Sequence, residues 1–70
     1  MSTKEKIIQA ATRLYADKGY KGMTMKAIAD AVGIKAPSLY AFYENKKEIL
    51  LNIWVNFIIR VLKETQTSRM

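Results

Sequence analysis

MKAIADAVGIKAPSLYAFYE, residues 25–44, reads as two short helices joined by a tight turn. Ala29 is small enough to let two helices approach closely. Gly33, four residues on, can take the left-handed backbone conformation that a sharp helix exit needs. Ile28, Val32, Ile34, Leu39 and Phe42 fall at the apolar positions that face inward when two helices cross steeply. One glycine between two helices is weak evidence of any motif. A small residue, a glycine four places later and five apolar positions in phase together specify a helix-turn-helix.

The flanking residues supply the boundaries. Thr24 is a good N-cap for a helix over 25–32, its hydroxyl oxygen accepting from a free backbone N–H. The next helix spans 36–43, with Pro37 in the first turn, where its missing N–H costs nothing, and with Lys35 a poor cap. Upstream, Ser2 and Glu5 form a capping box that opens a helix over about 3–18. Ile7, Ile8, Ala11, Leu14 and Tyr15 mark its apolar face. Gly19 is expected to stop it as a left-handed cap, with Tyr20 folding back as an apolar plug. Downstream, Asn45 and Glu48 make a second capping box for a helix over about 46–64, beyond which TQTSRM is expected to fray. The chain therefore reads as all-α. A three-helix, homeodomain-like helix-turn-helix domain occupies 1–47, and a long fourth helix over 46–64 links onward.

That fourth helix has three apolar lines: Ile49, Ile53 and Phe57; Leu50, Trp54, Ile58 and Val61; Leu51, Val55, Ile59 and Leu62. Only a wedge of Asn52, Asn56, Arg60 and Lys63 is polar. A helix apolar nearly all round is buried nearly all round, and three short helices cannot cover every side. A further domain or a second chain is expected to pack on it.

Composition narrows the chemistry. Seventy residues bury a modest core. With no cysteine and no histidine, the chain has no disulfide, no thiolate metal site and neither the commonest metal ligand nor the commonest general base. It also lacks a phosphate loop and carboxylates paired in a pocket-like context, so an enzyme is not expected. The net charge of +6 favours a polyanionic partner. Six of the lysines and two acids lie between Lys18 and Lys47, which concentrates positive charge around the motif. The start, MSTKEKIIQAA, lacks the continuous apolar core of a secretory leader. Residues 49–62, interrupted by Asn52, Asn56 and Arg60, are too short and polar to span a bilayer. A cytoplasmic protein without a membrane partner is expected.

The stretch IIQAATRLYADKGYKGMTMKAIADAVGIKAPSLYAFYENKKEIL, residues 7–50, resembles the N-terminal domain of the TetR family of transcriptional regulators. The shared order is an apolar residue with two alanines, Leu-aromatic, Gly-Tyr, Thr before the second helix, Ile-Ala, Gly-Ile, Leu-Tyr, an aromatic pair, Asn-Lys and a closing apolar pair. The resemblance implies a DNA-binding unit of three helices and a fourth leading to a larger helical domain. In the family that domain dimerises and binds a small-molecule inducer; here it would lie outside these residues, leaving no cofactor in this chain. It also implies a homodimer on double-stranded DNA with a pseudopalindromic operator, commonly as a ligand-released repressor. Lys35, Pro37, Ala41 and Phe42 depart from common family choices, so base preference does not carry over from relatives.

On this view the helix over 36–43 enters the major groove with its leading turn toward the bases. Lys35 can donate to guanine O6 or N7, Ala36 and Pro37 can touch a thymine methyl, and Ser38 can meet a base edge or a phosphate. Ala41 can make only an apolar contact. Phosphate clamps flank it: Thr24 at the start of the second helix, Tyr40 through its phenol, and Lys46 at the start of the fourth helix, with Lys26 and Lys47 as further contributors; Tyr43 is also counted among the DNA-binding candidates. The competing function is a helical protein-interaction module that docks through the apolar faces of the fourth helix and uses its lysines for solubility alone. A membrane-surface role would have only Arg60 and Lys63 as cations in the polar wedge, which is thin support.

Overall fold

Caps set the element boundaries in the computed structural model, which describes residues 2–69, with side chains through Glu64. The elements are α1 (Thr3–Gly22), α2 (Met25–Val32), α3 (Ala36–Phe42) and α4 (Lys46–Arg69), with no strand among the described residues. The fold is all-α, as the periodicity implies. Ser2 opens α1, its hydroxyl oxygen accepting from the Glu5 N–H at 3.2 Å. Thr24 opens α2 in the same way, accepting from the Ala27 N–H at 3.0 Å. Asn45 opens α4, accepting from the Glu48 N–H at 3.1 Å. The Glu48 carboxylate reaches back to the Glu44 N–H at 2.7 Å, one residue before the position that a regular capping box uses.

The end of α1 differs from expectation. Its regular run stops before Gly19, whose φ of 75° is positive but whose ψ of −177° is extended rather than left-handed helical. That region is essentially closed to residues with a Cβ. One more helical turn follows, and the Met23 N–H closes it onto the carbonyls of Gly19 and Tyr20, each at 3.2 Å. The residue that fills the core after this detour is not Tyr20. Met23 is fully buried and plugs the core, while Tyr20 remains 39% exposed.

The core consists of Ile7, Ala11, Met23, Ile28, Ala29, Leu39, Tyr43, Ile49 and Ile53, with Ile8, Leu14, Tyr15, Val32, Ile34 and Leu50 packed around it. α1 packs on both α2 and α4, and α2 on α3. Each fully buried isoleucine, leucine or methionine here stabilises by roughly 1.5–3 kcal/mol. A second correction falls at the end of α3. The helix ends at Phe42 rather than at 43, and Tyr43 takes up extended backbone at φ −139°, ψ 129°. Tyr43 turns into the core at 8% exposure, whereas Phe42, expected to face inward, is 40% exposed.

α4 continues to Arg69, so the segment after Glu64 extends the helix instead of fraying; Met70 lies outside the described residues. At 1.5 Å per residue its 24 residues extend about 36 Å, and the molecule's longest dimension is 45 Å. Only Ile49 and Ile53 of its apolar residues enter the core. Leu51, Trp54, Val55, Phe57, Ile58, Ile59, Val61 and Leu62 are all exposed. Among the described residues no helix is long and apolar enough to cross a membrane.

Candidate nucleic-acid interface

The turn between α2 and α3 is built on one left-handed residue. Gly33 sits at φ 89°, ψ 27°, and its N–H donates to the Ala29 carbonyl at 2.9 Å. The Ile34 N–H shares that carbonyl at 3.0 Å. Ala29, directly below, is buried, so both helices close on a residue with almost no side-chain bulk. This fixes where α3 starts and which of its faces points outward.

α3 is anchored by Leu39, which is fully buried, and by Tyr43 just past its end. At 100° per residue, the stripe opposite those anchors carries Pro37 and Ala41, with Ser38 beside them. All three are exposed, and Ala36 is half-buried on the near side. Tyr40 flanks the stripe on one edge at 51% exposure, and Phe42 flanks it on the other. Lys35 is exposed at the N-cap position and makes no side-chain cap, as its type suggests. The result is a convex ridge of small groups at the leading turn of a helix, with larger side chains along its margins.

Thr24 and Lys26 are exposed at the first turn of α2. The Thr24 oxygen accepts from the Ala27 N–H, which leaves its hydroxyl proton able to donate outward. Lys46 is half-buried, with its ammonium laid against Tyr20 at the surface. Its Nζ donates to the Tyr20 carbonyl at 2.9 Å and lies 4.1 Å from the centroid of the Tyr20 ring. One of three N–H donors is used in this way, and two can still meet an anion. Tyr43 stands apart from the other candidates. Burial first, and the Glu48 carboxylate second, push its phenol above the ordinary tyrosine pKa. Its ring packs in the core beside Ile49 and Ile53 instead of standing on the α3 ridge.

Two contributors are not evident from sequence reasoning. Tyr20 holds Lys46 across 26 residues of chain, and no local pattern signals so distant a contact. Phe42 lies on the outer surface of α3 at 40% exposure, although its spacing from Leu39 also suits an inward position.

Residues 7–53 match the family model described as bacterial regulatory proteins, tetR family. Among curated proteins, the chain is 41% identical over 64 residues to the biofilm operon icaADBC HTH-type negative transcriptional regulator IcaR of Staphylococcus epidermidis. That alignment covers 81% of this chain and 35% of the relative. Against the protein of the same description from Staphylococcus aureus (strain Newman), identity is 48% over 46 residues, covering 66% of this chain and 25% of the relative. The chain thus spans about a quarter to a third of the length of these relatives. No solved structure gives a significant match.

Proposed function

The chain belongs to the TetR family of bacterial regulatory proteins, and from that premise we propose that it is the DNA-reading part of a transcriptional repressor. The observation that carries this is the α3 ridge. Gly33 and Leu39 fix the helix so that Pro37, Ser38 and Ala41 project outward together. Lys35 extends the leading turn, and Thr24, Tyr40 and Lys46 supply hydroxyl and ammonium donors on neighbouring elements. A major groove admits one such helix, and the flanking donors suit the phosphates on either side. Lys26 adds charge at the start of α2. No step in this role needs catalysis, a metal or a cofactor.

Repression as the direction of control is favoured by the two relatives, both of them negative transcriptional regulators. A single α3 makes few base contacts, so the role calls for a homodimer on a pseudopalindromic operator with half-sites about 34–36 Å apart. The bare apolar surface of α4 supports packing against a larger helical domain, where pairing and a small-molecule inducer would be accommodated. Packed there, α4 would act as the lever that sets the spacing of the two α3 helices. The cytoplasm is the compartment in which such a protein meets its DNA.

Titration of labelled mixed-sequence duplex DNA with the protein at rising salt tests the role. The expected result is binding at low salt, with log K falling linearly against log salt as phosphate contacts displace counterions. Absence of binding to any duplex at low salt overturns it and leaves the protein-docking alternative.

A further inference from the structure

We propose that α3 selects its half-site chiefly by touching the C5 methyl groups of thymine, at about two neighbouring base pairs. This selection rests on the DNA-binding role proposed above. The seven residues of α3, APSLYAF, carry no charged and no amide side chain. Paired hydrogen bonds to adenine need asparagine or glutamine, those to guanine need arginine or lysine, and cytosine is read by an acid. None of these stands on the helix. Outside it, Asn45 is committed to capping α4, and the Glu48 carboxylate is bound to the Glu44 N–H. Lys35 remains as one cation just ahead of the first turn, and Ser38 as one hydroxyl.

What the exposed stripe offers instead is carbon. Pro37 and Ala41 are one helical turn apart on the same side, about 6 Å along the axis. Base pairs in duplex DNA are stacked about 3.4 Å apart, so the stripe spans roughly two steps. In the major groove the thymine methyl is the one apolar group that distinguishes a base pair. Pro37 and Ala41 are short, so the backbone of α3 can approach the groove floor closely enough for their carbons to meet it. Phe42 and Tyr40 stand at the two margins of the ridge and limit sideways travel.

Removing one buried methyl contact corresponds to about a fourfold loss of affinity. Duplexes that the protein itself enriches from a random pool are resynthesised with deoxyuridine for thymidine, one position at a time. This deletes the methyl and keeps every base-pair hydrogen bond. The expected outcome is a loss of about fourfold at one or two adjacent positions in each half-site and little elsewhere. At those positions, 5-methylcytosine should bind more tightly than cytosine. Ala41→Gly should shrink the uracil penalty at one position, and Pro37→Ala, acceptable in a first turn, at the other. Uracil substitution without loss overturns thymine selection while DNA binding stands. A loss spread evenly along the site, the mark of altered duplex stiffness, overturns it too. If no duplex is bound at all, the DNA-binding role fails and thymine selection with it.

Discussion

Tyr43 and Phe42 are adjacent aromatic residues with opposite fates, and their difference is measurable. Tyr43 fills the core beside α4, and Phe42 lies largely outside it. Tyr43→Ala should cost about 3–5 kcal/mol in urea denaturation, as for other buried aromatics, and Phe42→Ala under ~1 kcal/mol. Equal losses would contradict the burial. The phenol gives a second test. Its pKa is raised in the folded state, chiefly by desolvation and then by Glu48. Above the ordinary value of about 10 the unfolded chain has released this proton while the folded chain keeps it. The unfolded state then binds fewer protons, so stability should fall as pH climbs from about 10 toward the folded pKa. Lysines titrate in the same window, so the comparison is with Tyr43→Phe, which lacks this component. Identical pH profiles for the two proteins above pH 9 would remove the assignment.

At the scale of elements, two joints hold the helix-turn-helix in place: the Gly19 bend and the clip between Tyr20 and Lys46. Gly19→Ala forces a Cβ into a backbone region nearly closed to it and should cost about 1–3 kcal/mol of stability. Lys46→Ala should weaken binding on every duplex and flatten the salt slope by roughly 1 unit. Tyr20→Leu keeps the backbone carbonyl but removes the ring under the ammonium. An exposed cation–π contact of about 0.5–1 kcal/mol predicts a two- to fivefold loss with the slope unchanged, because the charge is still present. Tyr20→Phe should restore wild-type binding. If Tyr20→Leu binds as the wild type does, the clip holds no functional position. The helices and the Gly33 turn were legible in the sequence because their determinants are local: a hydroxyl or amide cap, a glycine, an apolar period. The clip was not, since it joins residues 26 apart. Nor was the choice between Phe42 and Tyr43. On a helical wheel they lie about 60° and 40° to either side of Leu39, and only the helix end at Phe42 turns the second one inward. The small, exposed ridge of Pro37, Ser38 and Ala41 follows from Leu39 alone and could be placed in advance.

For the whole molecule, the two ends of α4 have different physical obligations. Ile49 and Ile53 complete the core at its start. From Trp54 onward, large apolar side chains lie open to water, up to 65% exposure at Phe57. Apolar area left in water drives association roughly in proportion to its extent, and large exposed apolar patches mark interaction surfaces. In the absence of any other covering surface, copies of the chain should associate through this segment. Sedimentation equilibrium is expected to show mass rising with protein concentration. The single tryptophan, Trp54, is half exposed and reports the same event, its emission shifting to the blue as the segment is covered. Ile58→Lys with Leu62→Glu should hold the chain monomeric and keep Trp54 emission red-shifted. Neither residue belongs to the core, so the melting of the helix-turn-helix should change little, and low-salt DNA binding per chain should persist. A wild-type chain that stays monomeric at high concentration would show that the α4 surface is tolerated in water. A double variant that unfolds would show that this surface supports the fold itself.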